Sequence, residues 1–119
     1  MSFHFKHKQA NPYFPDVQDV FPQEVNDNAS QLCLIDVREE SEFFGELGHV
    51  PGSQLINLSS LPENLKELPK DKSIVFICRS GGRSAQASSF VQQHGFVNVY
   101  NMQGGMLMWN QLMLPVDFE

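Results

Sequence analysis

Basic residues and long apolar runs are scarce in this chain, and each scarcity excludes a class of protein. The 119 residues include eight Lys and Arg against 14 Asp and Glu, for a net charge of -6. This balance argues against nucleic acid as a partner, because phosphate binding needs a basic face. No apolar stretch approaches the roughly 20 residues that span a bilayer, so we expect no membrane partner.

Cysteine is scarce as well, and the N-terminus carries no export signal. The chain has two cysteines, and its first eight residues contain no apolar stretch of the kind found in secretory signals. We therefore expect a cytoplasmic, reducing location in which both thiols are free.

Apolar residues are plentiful enough for one core. Hydrophobic residues make up 41% of the chain and include ten Phe, which predicts one folded domain at this length. Residues 1–16 follow no regular period, so we interpret them as an extended N-terminal arm, and residues 17–119 as the single domain. His4 and His7 in the arm have no third ligand type nearby, and we predict no metal site and no cofactor.

Short apolar runs alternate with helical patterns after the arm. The predicted strands are residues 16–20, 32–37, 54–56, 74–77 and 97–100. The predicted helices are residues 22–28, 39–46, a segment from a capping box at Ser60 to Pro69, a segment that follows the 78–84 loop and ends at Gly95, and residues 105–112. This alternation predicts an α/β fold with a parallel sheet, in which ligands bind beyond the carboxyl ends of the strands.

The segment from Cys78 to Ser84 is the strongest functional signal. It follows an apolar run that predicts a buried strand, contains Gly81 and Gly82, and precedes a predicted helix. That geometry presents the thiol to backbone N–H groups at a helix N-terminus, where an anion binds and a thiolate is stabilised. The two glycines allow positive φ and close approach of the backbone to the sulfur.

Two arginines lie within five residues of the sulfur. Guanidinium groups bind oxyanions through paired donors, so Arg79 and Arg83 are our candidates for binding an anionic substrate. The alternative for either arginine is an ion pair with a nearby carboxylate.

Three blocks of sequence resemble the rhodanese-like sulfurtransferases over roughly residues 17–112. The blocks are Asp36-Val37-Arg38 with Glu42-Phe43 and Gly48-His49-Val50-Pro51-Gly52, then Cys78-Arg79-Ser80-Gly81-Gly82-Arg83-Ser84, then Gly104-Gly105 with Trp109. The resemblance implies a three-layer fold, with a five-stranded parallel sheet flanked by helices, and a persulfide-forming cysteine at Cys78. Two residues depart from the family's usual pattern: Ser53 stands where alanine is usual, and Met108 replaces the small residue that usually precedes the tryptophan.

The expected reaction follows from a thiolate at Cys78. It would take the outer sulfur of thiosulfate or a similar small anionic donor, and a second nucleophile (cyanide, a small thiol or a protein thiol) would remove that sulfur. Arg79, Ser80, Gly81, Gly82, Arg83 and Ser84 are the predicted substrate-binding residues, through their backbone N–H groups and the two guanidinium groups.

Three further residues are predicted to support the site. Asp36 and Arg38 bracket the end of a strand beside the loop, where a structural salt bridge is favoured over substrate contact. His49 is interpreted as a hydrogen-bond donor that stabilises a turn, with a catalytic base as the alternative. Cys33 is predicted to be a buried structural cysteine, too far from Cys78 for a disulfide.

Two other functions remain as alternatives. A non-catalytic binding module would keep the fold and dock a partner through the loop face, although such a module would be expected to lose Cys78. A cysteine-dependent phosphatase or arsenate reductase would place an arginine six residues after the cysteine. Here that residue is Ser84, and Arg83 comes one position too early, so the loop is short for a phosphoryl group.

Overall fold

Six short strands form a single sheet in the computed structural model, which describes residues 3–119. The strands are β1 (Gln9–Ala10), β2 (Gln18–Val20), β3 (Leu32–Asp36), β4 (Gln54–Leu55), β5 (Ser73–Ile77) and β6 (Val99–Met102). The α-helices are α1 (Pro22–Asp27), α2 (Glu40–Phe43), α3 (Gly82–Gln92) and α4 (Gly105–Gln111), and Ala29–Gln31 and Leu58–Glu67 form 3₁₀ helices.

The order of the strands places β5 in the interior of the sheet. That order is β1-β2-β6-β5-β3-β4, and every neighbouring pair is parallel except β1 with β2. Because β3, β5 and β6 run in the same direction, their carboxyl ends meet at one edge of the sheet. The predicted α/β architecture is confirmed, and the candidate loop lies at that edge.

The apolar run of β5 is explained by cover on both faces of the sheet. Val75 and Ile77 join the core cluster beneath α1 and α4, whereas Ile74 and Phe76 join the cluster beneath α3 and the second 3₁₀ helix. This alternation follows the pleat of the strand, which sends successive side chains to opposite faces. All five residues of β5 are buried, and its one polar residue, Ser73, donates its hydroxyl to the carbonyl oxygen of Phe3 at 2.7 Å.

The sheet has one strand more than the five that we expected. The additional strand is β1, which pairs antiparallel with β2 through Gln9 opposite Asp19. Both residues of β1 are exposed, so no apolar alternation marks them as a strand. Nearer the N-terminus, Phe5 is buried in the core. Residues 1 and 2 of the predicted arm lie outside the described residues.

The predicted helix between Ser60 and Pro69 is a 3₁₀ helix that begins three residues earlier. Asn57 is its N-cap and accepts the backbone N–H of Ser60 at 3.0 Å, so the predicted capping box at Ser60 is wrong. The earlier start places Pro62 inside the helix, where proline lacks the N–H that an α-helical ladder requires. The buried side chain of this helix is Leu61.

No helix among residues 3–119 combines the length and the apolar character that a membrane crossing requires.

Candidate active site

Cys78 lies immediately beyond the carboxyl end of β5, between that strand and the start of α3. Gly81 is the N-cap of α3 and has a φ of 107°, a conformation that glycine adopts readily and other residues rarely do. This residue turns the chain back over the sulfur. The position of Cys78 at the strand edge agrees with the sequence prediction.

The start of α4 supports the loop from below. The N–H of Met106 donates to the carbonyl oxygen of Cys78 at 2.9 Å, and that of Leu107 donates to the carbonyl oxygen of Arg79 at 3.0 Å. A Cβ atom on Gly105 would overlap both carbonyl oxygens. The Gly104-Gly105 pair therefore matters because the helix must approach the loop closely.

The sulfur of Cys78 is enclosed and surrounded by hydrogen-bonding groups. The residue is 1% exposed. The N–H groups of Gly81 and Ser84 donate to Sγ at 3.1 and 3.4 Å, and the Ser84 hydroxyl oxygen lies 3.2 Å from Sγ. Two backbone donors at a helix start favour negative charge on Sγ, as in a thiolate.

Arg83 is engaged in the ion pair that was its alternative role. Its Nη1 and Nη2 atoms donate to the two carboxylate oxygens of Glu42 at 2.7 and 2.9 Å. These hydrogen bonds lower the pKa of Glu42 to about 2, although partial burial opposes the shift. The same contact raises the pKa of Arg83. Arg83 is thus not free to bind an anion unless Glu42 releases it.

Glu42 is a residue of the site that the sequence reasoning did not single out. Its Oε1 atom also accepts the backbone N–H of Glu39 at 3.1 Å, which ties it to the first turn of α2. It stood in the first block of the resemblance, but its partner lies 41 residues further along the chain. Only the folded chain brings the two together.

Arg79 and Ser80 lie on opposite sides of the loop. Arg79 is exposed and borders a depression of about 190 Å³ together with Glu42 and Glu46. Ser80 borders a groove of about 430 Å³, shared with Gly81, Gly82 and residues 11–14. The depression therefore contains the exposed Arg79 side chain. The groove contains one charged side chain, the carboxylate of Asp19, among neutral residues.

Asp36 and Arg38 form a buried ion pair below the loop. Arg38 donates through Nε and Nη2 to the Asp36 carboxylate at 2.8 to 3.1 Å. It also donates to the carbonyl oxygens of Gly48 and Glu42 at 2.7 and 3.2 Å. This buried guanidinium therefore joins the end of β3 to α2 and to the loop that contains Gly48.

His49 is used within the structure of a turn. A carbonyl oxygen can only accept, so Nδ1 of His49 carries the proton that it donates to Phe43 at 2.7 Å. The imidazole also stacks on the Phe43 ring, with centroids 3.6 Å apart. Backbone hydrogen bonds of 2.9 Å in both directions join His49 to Asp117.

A buried polar network beside Cys78 was missed by the sequence reasoning. Ser84 hydrogen bonds with Asn101 of β6, and Asn101 donates to Asp19 of β2 at 2.9 Å. Asn11 of the arm donates to the same carboxylate oxygen at 3.0 Å. The signal that could have revealed the network is a polar residue at a buried position in each of two short strands.

Cys33 lies well below the active-site edge. It pairs in register with Ile74, four residues before Cys78, and both cysteines are free. It is half-buried rather than buried as predicted. Burial raises the pKa of the Cys33 thiol, and Lys72 partly offsets that effect.

Neither histidine of the arm is placed in a metal cluster. His4 and His7 border a cavity of about 810 Å³ between the arm and α1, away from the Cys78 loop. Among residues 3–119, no group of three or more His, Cys, Asp or Glu side chains is placed to hold a metal ion.

Comparisons with known proteins find a match over most of the chain. The family model for the rhodanese-like domain matches residues 18–112. A putative sulfurtransferase of Bacillus subtilis is 43% identical, over 66% of this chain and 74% of that protein. A thiosulfate sulfurtransferase of Pseudoalteromonas translucida is 30% identical, over 66% of this chain and 72% of that protein.

A solved structure extends the likeness to the fold. The crystal structure of a rhodanese-related protein from Thermoplasma volcanium has a TM-score of 0.78 and 33% sequence identity. The superposed region covers 85% of this chain and 98% of the chain of that structure. This likeness confirms the predicted fold class.

Proposed function

This chain belongs to the rhodanese-like domain family, and its relatives include proteins named as sulfurtransferases; we propose that Cys78 is the nucleophile of a sulfurtransferase here too. A sulfane sulfur moves from thiosulfate or a similar small anionic donor to an acceptor. The acceptor is cyanide or a thiol, either small or carried by a protein. The relative named a thiosulfate sulfurtransferase supports this choice of donor.

The observation that carries the proposal is the cradle around the sulfur. The N–H groups of Gly81 and Ser84 donate to Sγ of Cys78. The thiolate that begins the reaction carries its negative charge on Sγ, and these fixed donors stabilise it there without rearrangement.

The reaction consists of two displacements at sulfur. The Cys78 thiolate attacks the outer sulfur of thiosulfate, the S–S bond of the donor breaks, and sulfite leaves with the electron pair. Cys78 then carries a persulfide with a negative terminal sulfur. An acceptor thiolate or cyanide attacks that terminal sulfur, the S–S bond of the persulfide breaks, and Cys78 leaves as a thiolate with the electron pair of that bond. Sulfite is a stable anion, so its departure needs no general acid.

Arg79 is the proposed first contact of the donor. It is exposed beside the loop, whereas Arg83 is held by Glu42. A sulfonate at Arg79 would approach the loop from the side of the depression, and Arg83 would join when the anion displaces Glu42. Ser80, Gly81, Gly82 and Ser84 complete the proposed binding loop.

The proposal includes the setting of the site. Residues 17–119 act as one domain, and residues 1–16 as an arm that contributes β1 to its sheet. The two free cysteines suit the reducing cytoplasm, where we place the protein.

The test is the intact mass of the protein after brief incubation with thiosulfate. We expect a gain of one sulfur atom, about 32 Da, which cyanide or a thiol removes. Cys78→Ser should abolish the gain, and the matched control Cys33→Ser should retain it. If thiosulfate and other sulfane donors all leave the mass of the reduced protein unchanged, the binding-module alternative replaces this proposal.

A further inference from the structure

A chain of hydrogen bonds leads from the N-terminal arm toward Cys78, and the first members fix its direction. Oδ1 of Asn11 accepts the backbone N–H groups of Tyr13 and Phe14 at 2.9 and 3.0 Å. Its Nδ2 atom must therefore face the other way, and it donates to Oδ1 of Asp19 at 3.0 Å. A carboxylate oxygen accepts from it, as the chemistry of the two groups requires.

Asp19 in turn orients the amide of Asn101. Nδ2 of Asn101 donates to Oδ1 of Asp19 at 2.9 Å. With the amide nitrogen directed at the carboxylate, the amide oxygen of Asn101 is directed at Ser84. Asp19 and Asn101 are 2% and 1% exposed, so water offers no ready replacement for either partner.

The Ser84 hydroxyl has two neighbours and one proton. Its oxygen lies within hydrogen-bond distance of Oδ1 of Asn101 and 3.2 Å from Sγ of Cys78. The amide oxygen can only accept, so the hydroxyl proton belongs to Asn101. The hydroxyl oxygen then presents lone pairs to the sulfur. A Cys78 thiol can donate its S–H to them, whereas a thiolate faces them as a second electron-rich atom.

We propose that Asn101 is a positioning residue: held in one orientation by Asp19, it keeps the Ser84 hydroxyl an acceptor toward Cys78 and thereby favours the thiol over the thiolate. The inference rests on the proposed function, because the thiolate is the nucleophile of that reaction. Asn101 thus opposes the backbone N–H donors of Gly81 and Ser84, which favour the charged sulfur. The resting site holds its nucleophile protonated more than the cradle alone would.

Charged groups also act on Cys78, and the test must leave them in place. Arg83 interacts electrostatically with Cys78 and with Asp36, Arg38 pairs with Asp36, and Arg79 is the next residue in the chain. The fifth group is Asp19, behind Asn101. Ser84→Ala removes no hydrogen bond from any of these charged groups, whereas Asn101→Leu leaves Asp19 with the donor from Asn11.

The sign of one conservative substitution decides the matter. In a Cys33→Ser background, the ultraviolet absorbance of the thiolate at neutral pH measures the ratio of thiolate to thiol at Cys78. Ser84→Ala should raise that ratio about fivefold, the equivalent of one ordinary hydrogen bond. If the ratio falls or stays unchanged, the hydroxyl does not favour the thiol, and the inference is overturned.

A second variant tests the role of Asn101 directly. Asn101→Leu is close in shape and removes the acceptor, so the Ser84 hydroxyl becomes free to donate to the thiolate. We expect the ratio to rise with Ser84 present and to stay unchanged in the Ser84→Ala background. An equal rise in both backgrounds would show an effect that bypasses Ser84 and would contradict the proposal.

The measurement needs no sulfur donor, which separates it from the proposed function. If the ratio responds as expected but no persulfide forms, the sulfurtransferase proposal fails and the role of Asn101 stands. If Asn101→Leu does not fold, as circular dichroism would show, the sign of the Ser84→Ala effect still decides.

Discussion

Two ion pairs flank the Cys78 loop, and they differ in burial far more than in geometry. In each pair an arginine donates two or more hydrogen bonds to one carboxylate, at 2.8 to 3.1 Å in the Asp36–Arg38 pair and at 2.7 and 2.9 Å in the Glu42–Arg83 pair. The side chains are 0% and 1% exposed in the first pair, against 28% and 37% in the second.

The difference separates a structural pair from an exchangeable one. The guanidinium of Arg38 also donates to the carbonyl oxygens of Gly48 and Glu42. Because the pair is buried, water could not replace the Asp36 carboxylate if it were removed. Arg83 reaches solvent, where water or an anion can take the place of Glu42. The charges and the hydrogen-bond distances are alike in the two pairs, and burial decides which arginine is available to a substrate.

The largest effect that tests this contrast is on stability. Arg38→Met leaves the Asp36 carboxylate buried without its partner, and we expect the free energy of unfolding to fall by roughly 3–5 kcal/mol. Urea unfolding followed by circular dichroism measures the loss. The matched control is Arg83→Met, which should cost about 1 kcal/mol or less because a half-exposed pair contributes little. Equal losses in the two variants would mean that burial does not distinguish the pairs.

The sequence predicted the sheet that positions the loop better than it predicted which charged residues pair beside the loop. The apolar run before Cys78 located β5, and the alternation of elements predicted a mainly parallel sheet with the thiol at its carboxyl edge. Asp36 and Arg38 are two residues apart, so their pairing follows from local sequence. These features depend on apolar periodicity and short-range spacing, which a sequence displays directly.

What the sequence did not display depends on contacts between distant segments. Glu42 and Arg83 are 41 residues apart, and several carboxylates were available to either arginine of the loop. Asn101 and Asp19 are 82 residues apart as well. Local competition also went unseen at Asn57, which caps the 3₁₀ helix in place of Ser60.

The second prediction asks whether Glu42 competes with the donor for Arg83. Glu42→Gln keeps the acceptor for the backbone N–H of Glu39 but loses the charge that holds Arg83, so an anionic donor meets less competition. We expect the KM for thiosulfate to fall about threefold to tenfold, the range of one charge-assisted contact at a half-exposed site. Steady-state kinetics with cyanide as the acceptor measures the change.

The control for that prediction removes the same charge from the same depression. Glu46 borders it together with Arg79 and is exposed, and no hydrogen bond of its side chain to Arg83 is present in the described structure. Glu46→Gln should lower KM by much less than Glu42→Gln. A rise in KM for Glu42→Gln would show that the carboxylate holds Arg83 in its binding position, and the idea of competition would then be wrong.

The smallest predicted effect is on the free energy of unfolding at acid pH. Hydrogen bonds from Arg83 lower the pKa of Glu42 to about 2 from an ordinary 4.5. A carboxyl group whose pKa is lower in the folded state stabilises the fold above its unfolded pKa, and it loses that contribution as the pH falls through the folded value. The wild type should therefore exceed Glu42→Gln in the free energy of unfolding by about 1 kcal/mol or less at neutral pH, since solvent screens the pair. The difference should narrow as the pH falls from about 4.5 toward 2, as urea titrations of both proteins at several pH values would show. A difference that is constant with pH would mean that the Glu42 carboxylate is not stabilised by Arg83 in solution, and that the two pairs differ even more than their burial implies.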